Sequence, residues 1–540
     1  LVRGAYDFLD TARPGQVDVQ VINPDVANEG WYAPVTVIRT NVGERPFIVD
    51  SLREYLHSRE LPIEHNIYPV LHVEREADGR ILRVRPSREG EQRESLVHCE
   101  IERVSDVELL AQIEQDIRHR LEDVVLVTDD FGAMQEALGA TEKEISELLP
   151  GLEDRRQELE EARAFLQWLG DDAFVFLGYR AYRLGEGQSE RFVQVEPGSG
   201  LGILRREDHS TYTEAVPFSE LPKGVRALAE GGPLLIISKT NAESTVHRRA
   251  RMDYIGVKRL DDEGRIVGEH RFVGLFTSKA YSETARDIPI LRGKLDQILD
   301  EAGVVEGSHD YKEINTIFNS MPKEELFLAS AEQIGVDVRT VLTSYLQEGV
   351  RVSLRKDPLQ RGVAVMVILP KDRFSGAVRK SIERALVEAF SGEVLNYHLA
   401  LGEGDQARLH FYMGADAASL ASVSAEELEV QLREITRSWE DRVRKRLESV
   451  RPADEARRLA RRYAEAFGPE YEAATRPVTA VRDILELEAM RADGRSMAVS
   501  FSNDTGDESL LPEGEASTAL NLYLRDSRLI LSEFMPILED

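Results

Sequence analysis

Hydrophobic and polar residues alternate over APVTVIRT, residues 33–40, and the spacing then becomes helical. Alternation with a period of two is typical of a strand with one buried face, whereas recurrence every three or four residues, as at Ile48 and Leu52, is typical of an amphipathic helix. Asn41 stands between the two patterns as a capping or turn residue, and Pro46 suits a first helical turn because its missing N–H would be unpaired there. The pattern therefore predicts a strand followed by a helix.

The same change of pattern occurs again along the chain. After a hairpin around Ala77-Asp78-Gly79, the strand ESLVHCEIERV and a helix capped by Asp106 complete the order β-α-β-β-α. This order returns in GVAVMVILP, FSGAVRKSIERALVEAF, VLNYHLAL, ARLHFYMG and one long helix over 424–450. A third unit begins near 493 and ends with SRLILSEFMPILED, a predicted helix. Such a unit, closed by one more strand, is the ferredoxin-like arrangement.

The remaining segments are β-rich or helical, so we predict an α+β multidomain protein. The β-rich segment contains AFVFLGYRAYRL, PLLIISKT, DYIGVKRL and RIVGEHRFVGLFTS. The predicted divisions are a truncated N-terminal segment 1–32, a first module 33–128, a helical connector 129–170, a mixed β domain 171–285, a helical segment 286–358, a second module 359–450, a helical segment 451–492 and the start of a third module, 493–540.

Composition excludes several classes of protein. With 31 % charged and 42 % hydrophobic residues among 540, and no apolar run near the roughly 18 residues that cross a bilayer, we expect a soluble protein without a membrane partner. A net charge of −29 repels phosphate and disfavours nucleic acid as a partner. The single cysteine, Cys99, excludes an intramolecular disulfide and suits the reducing cytoplasm. The first residues lack an initiating Met and a signal peptide, so we expect a piece of a longer chain.

Motifs for cofactor or metal binding are weak. GEGDQA, residues 402–407, matches G-x-G-x-x-A, but alternating ARLHFYM follows where a helix N-terminus would have to meet a pyrophosphate. We therefore predict a hairpin turn and no cofactor site. The strand histidines lack zinc-binding spacing. Cys99 lies between His98 and Glu100 on a strand, so its side chain points away from both neighbours, and a buried structural cysteine is favoured over a nucleophile.

One segment is strongly basic: KTNAESTVHRRARMDYIGVKR, residues 239–259, which includes His247, Arg248, Arg249 and Arg251. Arginines at such a patch can hold a carboxylate or another anion through paired hydrogen bonds. The alternative, which the net charge of −29 favours, is an interface that pairs with the chain's own acidic surface.

Several stretches resemble known families. RPFIVDSLREYL, YPVLHVEREADGRI and SLVHCEIER are similar to an ACT-type amino-acid-sensing domain. FLQWLGDDAFVFLGYRAYRL, GLGILRR, STVHRRARMDYIGVKRLDDEGRIVGEHRFVGLFTSKAYS and DIPILRGKLDQIL, in that order, resemble the N-terminal half of the large bacterial NAD-dependent glutamate dehydrogenases. The resemblance covers essentially the whole chain. It implies three ACT-like modules, the last of them incomplete, a PAS-like domain at 171–285 and helical segments.

The same resemblance implies a function. The catalytic part, which would convert L-glutamate and NAD⁺ into 2-oxoglutarate, ammonia and NADH in amino-acid catabolism, would follow residue 540. This chain would be its non-catalytic regulatory and oligomerisation region, without a cofactor of its own. Its partners would be the catalytic domain, the other subunits of a homo-oligomer and an amino-acid effector acting allosterically. A stand-alone amino-acid sensor or assembly scaffold is the alternative, and a hydrolase centred on His247 or His270 is a weaker third.

ACT domains that bind amino acids use the loop between the first strand and the first helix. By resemblance, the candidate loop residues are Asn41, Gly43, Glu44 and Arg45 in the first module, and Lys371, Asp372, Arg373 and Gly376 in the second. Arg45 could hold a carboxylate. Phe47 stands where many ligand-binding ACT loops have a glycine, and its ring would fill the space for a ligand. Effector binding and domain pairing are both open for these loops.

Overall fold

The computed structural model describes the chain except for residues 1, 14, 28, 77–78, 89–91, 188–189, 207–211, 346–348, 357–361, 402–404, 416, 505–516 and 526–540. Three predictions fall on these gaps: the Ala77-Asp78 turn, the glycine-rich turn at 402–404 and the helix after residue 526. The described residues combine helices with antiparallel sheets, which confirms the α+β prediction. Within them no helix has the length and apolar character needed to span a bilayer.

The first module, residues 2–129, is a sheet with helices packed on it. Its described elements are α1 (Val2–Thr11), β1 (Asp18–Ile22), β2 (Val35–Gly43), α2 (Ile48–Ser58), β3 (Ile63–Ile67), β4 (Val70–Arg75), β5 (Ile81–Pro86), β6 (Glu94–Glu102) and α3 (Val107–Asp129). The sheet runs in the order β1-β2-β6-β4-β5, with β3 also beside β6. The Asp106 carboxylate accepts the N–H groups of Glu108 and Leu109, so it caps α3 as predicted.

The β-rich domain, residues 174–276, follows two helices, α4 (Phe131–Leu148) and α5 (Arg156–Trp168). Its described elements are β7 (Phe174–Glu186), β8 (Arg191–Val195), β9 (Leu201–Gly202), β10 (Val216–Pro217), α6 (Lys223–Glu230), β11 (Leu235–Glu243), β12 (Arg251–Leu260) and β13 (Ile266–Phe276). The sheet runs β10-β8-β7-β13-β12-β11, with β9 beside β7. Helix α4 packs on one face, where His270 Nε2 lies 3.0 Å from Glu144 Oε2.

The segment predicted as helical over 286–358 is helical only up to Ser344 in the described residues. Its helices, with the one before them, are α7 (Ser278–Ser282), α8 (Leu291–Ala302), α9 (His309–Ser320), α10 (Lys323–Leu328) and α11 (Ala331–Ser344). The residues after Gly349 form a strand, β14 (Arg351–Lys356). The helical prediction is wrong there because RVSLRK alternates polar and apolar residues, the pattern of a half-buried strand.

The second module, residues 351–435, begins with that strand. It continues with β15 (Val363–Pro370), α12 (Gly376–Phe390), β16 (Glu393–Leu401), β17 (Gln406–Gly414), α13 (Ala417–Ser422) and α14 (Ala425–Ile435). The sheet order is β14-β15-β17-β16, and β16 and β17 pair antiparallel on either side of residues 402–404, as expected of a hairpin.

The long helix predicted over 424–450 is two helices, α14 and α15 (Trp439–Val450). The break occurs because the Ser438 side chain accepts the Asp441 N–H at 3.1 Å and starts a new helix. The later elements are α16 (Ala453–Tyr463), α17 (Pro469–Ala474), α18 (Pro477–Asp493), β18 (Met497–Asp504) and β19 (Ser517–Leu524). Helices α15, α16 and α18 share a small core of their own around Leu447 and Ile484.

In both modules the strand that closes the sheet comes before the β-α-β-β-α unit. β1 pairs antiparallel with β2, and β14 pairs antiparallel with β15. The predicted division between a segment 1–32 and a module 33–128 is therefore wrong, because β1, within that segment, is an edge strand of the first sheet. The guanidinium of Arg39, fully buried on β2, donates to Glu29 at 2.8 Å and to Gln20 at 2.9 Å, which fastens this segment to the sheet.

One hydrophobic core runs from the first module through the β-rich domain into the helices that follow. It includes Ile38 of β2, Phe272 of β13 and Phe318 of α9, and it reaches Met366 and Ile368 on one face of β15. The opposite face of that strand, with Val365 among its residues, belongs to a separate core inside the second module. The second module is thus joined to the rest of the chain through one face of its sheet.

Substitution of a glycine in β13 tests the packing of the β-rich domain. A Cβ on Gly274 would clash with the Val175 carbonyl oxygen and the Phe174 ring of β7, where the register shifts by a bulge. We expect Gly274→Ala to lower the free energy of unfolding by roughly 1–3 kcal/mol. In contrast, Gly139→Ala in α4, where nothing lies within 4 Å of the added methyl, should raise it by roughly 0.5–1 kcal/mol. Chemical denaturation of both variants measures the difference, and equal effects would contradict this packing.

Candidate functional site

The first candidate loop joins β2 to α2 over residues 44–47. Asn41, which the sequence places in a turn, lies within β2 instead, so that prediction is wrong. It is buried, and its Nδ2 donates to Glu94 Oε2 at 2.7 Å, which explains a polar residue at this position of a buried strand. Glu44 accepts the Tyr68 hydroxyl at 2.8 Å. Both side chains are therefore held inside the first module.

Arg45 is bound to the C-terminus of α3. Its Nη1 lies 2.8 Å from Asp129 Oδ1 and 3.0 Å from Thr128 Oγ1, and its Nε donates to the Gly43 carbonyl at 3.0 Å. A cation at this end of a helix is stabilised by the exposed carbonyls and the helix dipole. The guanidinium thus fixes the loop on α3.

Phe47 and the basic patch meet at the N-terminus of α2. Phe47 adopts a left-handed backbone with φ 74°, and its ring centroid lies 5.1 Å from that of His247. The His247 N–H donates to Ser51 Oγ at 2.9 Å, and its Nδ1 lies 3.6 Å from Asp50 Oδ2. The space in front of this helix is therefore filled by the protein's own β-rich domain.

The matching loop of the second module is open. Lys371 and Asp372 are exposed on a short 3₁₀ turn, and Arg373 Nη2 lies 3.4 Å from Asp441 Oδ2 of α15. Gly376 begins α12 with free space where a Cβ would be, so no close backbone approach requires glycine there. The two candidate loops thus have different surroundings, one covered and one exposed.

The arginines of the basic patch contact the protein itself. Arg248 Nη2 donates to the Phe276 carbonyl at 3.0 Å, and Arg249 Nε lies 2.6 Å from Glu243 Oε2. Arg251 begins β12 and pairs in register with Glu243 of β11. These contacts support the interface interpretation of the patch.

Helix α10 lies between the β-rich domain and the second module and contacts both through consecutive glutamates. Glu324 Oε1 accepts Lys239 Nζ of the β-rich domain at 3.0 Å and the Tyr281 hydroxyl of α7 at 2.6 Å, and its Oε2 accepts Asn396 Nδ2 of β16 at 3.3 Å. Lys239 also lies 2.7 Å from Oδ1 of Asp253, a carboxylate that is 2 % exposed. One ammonium thus balances two carboxylates at this contact.

Glu325, the next residue, faces the second module. Its Oε2 contacts the Arg355 guanidinium of β14 and lies 3.3 Å from His410 Nδ1 of β17. The same guanidinium reaches Asp337 of α11, with Nε 2.7 Å from Oδ2. Glu325, Asp337 and His410 are all buried. We call Lys239, Asp253, Glu324, Glu325, Arg355 and His410 the ionic junction.

The charges of the ionic junction stabilise one another. Burial alone would raise the pKa of Glu324, but Lys239 and the Tyr281 hydroxyl outweigh it and lower that pKa. Burial is likewise outweighed at Glu325, whose pKa is lowered by His410 and Arg355. Both glutamates of α10 are therefore ionised at neutral pH. At Asp253 burial dominates and raises the pKa despite Lys239.

The residues considered for chemistry have structural contacts. His270 Nδ1 lies 2.7 Å from the Tyr179 hydroxyl and its Nε2 meets Glu144, so a serine or cysteine nucleophile is not its hydrogen-bond partner. Cys99 is buried as predicted, and burial raises the pKa of its thiol to about 12. Among the described residues, His, Cys, Asp and Glu side chains form no cluster suited to a metal ion.

Sequence reasoning missed the ionic junction. Glu324 and Glu325 are two of 97 acidic residues, and nothing in MPKEELFL distinguishes them from a solvated helix face. The histidine and arginine that meet Glu325 lie on strands separated by over fifty residues.

Removing Lys239 tests the ionic junction. Lys239→Met leaves two acidic side chains without their shared cation, so we expect a loss of roughly 3–5 kcal/mol in the free energy of unfolding. Arg249→Met is the control in the same basic patch, because its partner Glu243 is half exposed and such a pair contributes below about 1 kcal/mol. Urea denaturation of both variants measures these values. Similar losses in the two would show that the ionic junction is no stronger than a surface pair.

Comparison with protein families matches four glutamate dehydrogenase models along the chain. They are described as the ACT1 domain, over residues 1–117, helical motif 1, over 288–348, the ACT2 domain, over 351–440, and helical motif 2, over 447–490. The ACT1 match includes α1 and β1, and the ACT2 match begins at β14. Both matches thus contain the strand that closes the sheet.

Curated relatives match over nearly the whole chain. The NAD-specific glutamate dehydrogenases of Halomonas elongata and Pseudomonas aeruginosa are each 29 % identical over 99 % of this chain, and that of Mycobacterium tuberculosis is 28 % identical over 91 %. The chain spans 33, 32 and 29 % of their lengths, respectively. Four domain models in sequence and these relatives show that the chain belongs to the family of NAD-specific glutamate dehydrogenases.

Proposed function

We propose that this chain is the regulatory and assembly region of an NAD-dependent glutamate dehydrogenase whose catalytic part lies C-terminal to it. The parent enzyme would convert L-glutamate, NAD⁺ and water into 2-oxoglutarate, ammonium and NADH. The observation that carries this proposal is α10, whose adjacent glutamates bind the β-rich domain and the second module at once. Because buried charges fix this helix to both domains, a displacement of one domain would move the other.

The first module would be coupled to the same unit. Phe47 and Ser51 of α2 contact His247, which lies in the loop before β12. That loop joins β11, which carries Lys239, to β12, which carries Asp253, so it leads directly to the ionic junction. This connection supports domain pairing for the first candidate loop. The exposed loop at 371–376 stays a proposed effector or subunit contact.

Assembly surfaces would lie at the C-terminal hairpin. Val499 and Phe501 of β18 are 50 and 73 % exposed on a two-stranded sheet, and Leu520 of β19 is 37 % exposed. Two strands with an apolar face are not stable alone in water. We propose that this hairpin begins a third ACT-like module, completed by further chain or by another subunit of a homo-oligomer.

The compartment would be the cytoplasm, where a free, buried cysteine such as Cys99 persists as a thiol. The β-rich domain would serve as a PAS-like module between the two ACT-like ones.

A stand-alone amino-acid sensor or assembly scaffold is the second candidate, and the second module's own core favours it. The natural gene distinguishes the two. Under the first proposal, the reading frame continues past codon 540 into a dinucleotide-binding motif, whereas a sensor or scaffold ends without one.

Glutamate turnover tests the proposal directly. We expect the purified chain, given L-glutamate and NAD⁺, to form no NADH by absorbance at 340 nm. The same chain extended by its natural downstream sequence should form NADH under identical conditions. Turnover by the chain alone would place catalysis within residues 1–540 and contradict the proposal. An extended protein that is folded but inactive would contradict the assignment of the parent activity.

A further inference from the structure

A cavity of about 410 Å³ lies against one face of the β-rich sheet. Strands β7, β11, β12 and β13 form its floor, and α6 with Ile203 and Leu204 covers it. Its size is within the roughly 300–1,000 Å³ that is typical of small-molecule sites. It is separate from the ionic junction, whose residues do not line it.

The two faces of β13 show that this space is a feature of the sheet. On the face that packs on α4, His270 and Phe272 are buried at 6 and 0 % exposure. On the cavity face, the side chains of Glu269 and Arg271 are 20 and 22 % exposed, although β13 is a central strand. Central strands of a covered sheet are normally buried on both faces, so the cover leaves room above these residues.

One end of the cavity is polar. The Arg271 guanidinium lies between two aromatic rings, 3.9 Å from the Tyr182 ring centroid and 4.9 Å from that of Tyr254. Its Nη1 donates to the Tyr182 hydroxyl at 2.7 Å and its Nε to Glu269 Oε1 at 3.2 Å. The Tyr254 hydroxyl also donates to Glu269. These contacts hold the guanidinium rigidly at the cavity wall.

Cations exceed anions at this end. Lys258 lines the cavity opposite Glu269 in the β12–β13 register, and its Nζ donates to the Gly231 carbonyl rather than to a carboxylate. Arg180 does not line the cavity, but it is the neighbour of Arg271 in the β13–β7 register, and its buried Nη1 has no hydrogen-bond partner among the described residues. Glu269 is the carboxylate beside Lys258 and Arg271. An anionic head group would therefore be attracted here.

The acids at the other end of the cavity are already paired. Asp123 Oδ1 lies 3.2 Å from Arg206 Nη2 and its Oδ2 accepts the Thr245 hydroxyl, while Glu243 is bound by Arg249. The walls between the two ends are apolar. They include Leu184, Val225, Leu228, Ile236, Met252 and Val273.

We propose that this cavity binds a small carboxylate with an apolar body, the head group lying between Lys258 and Arg271 and the body along α6. The carboxylate would complete the charge balance of the polar end, and the aliphatic walls would remove the body from water. This inference concerns a ligand of the β-rich domain and does not depend on the proposed regulation of a catalytic part.

Thermal shift of the whole chain with sodium octanoate at low millimolar concentration is the first test. Because a ligand that binds only the folded state stabilises it, we expect octanoate to raise the Tm. Acetate, which has the head group without the body, and 1-octanol, which has the body without the charge, should each give less than a third of that shift. Equal shifts with octanoate and 1-octanol would overturn the role of the cations, and no shift with octanoate would overturn the proposal.

Variants locate the effect. Lys258→Met should weaken octanoate binding at least tenfold by calorimetry and leave 1-octanol unchanged. Val225→Trp on α6 should fill the cavity and abolish the octanoate shift, with Leu228→Phe as a smaller filling if the tryptophan prevents folding. Val336→Trp, on the exposed face of α11, is the control and should keep full binding. Octanoate binding that survives Lys258→Met and either filling variant would place the ligand elsewhere and refute the cavity.

Discussion

Two adjacent carboxylates on a six-residue helix, Glu324 and Glu325 of α10, determine how the domains of this chain fit together. Successive helical residues point about 100° apart, so the two carboxylates have different partners. Glu324 meets Lys239 of the β-rich domain and, at 3.3 Å, Asn396 of the second module, whereas Glu325 meets Arg355 and His410 of the second module. A buried carboxylate is costly unless a cation and hydrogen-bond donors surround it. The helix therefore has one favourable position, in which Lys239 lies at one glutamate and Arg355 and His410 lie at the other.

Other cations of the chain are likewise bound by the protein's own groups. Arg45 fixes its loop on α3, Arg248 holds the end of β13, and Lys239 joins β11 to α10. Each lies within a pattern that resembles an anion site in sequence. In the structure each one holds elements in place, as expected of a region that transmits positions between domains.

Periodicity predicted the elements well, because burial of one face follows directly from the spacing of apolar residues. Spacing alone predicted the strand and helix around residues 33–56, the cap at Asp106 and the β-rich segment. The closing strands were not, since β1 and β14 are short segments whose partners are chosen by tertiary pairing. Asn41 was wrongly predicted in a turn. A buried strand tolerates a polar residue when a group far away in the sequence bonds it, and here the Glu94 carboxylate accepts a hydrogen bond from the Asn41 side-chain amide. The ionic junction depends on residues brought together only by the fold, so no local pattern indicates it.

Hydrogen exchange on the Lys239→Met chain tests the coupling of the domains through α10 most directly. Lys239 lies on β11 of the β-rich domain and Arg355 lies on β14 of the second module, and α10 binds both through its two glutamates. Coupling through α10 predicts faster amide exchange in α10 and in β14, which carries Arg355, while Arg249→Met leaves both unchanged. Faster exchange confined to the β-rich domain would contradict it.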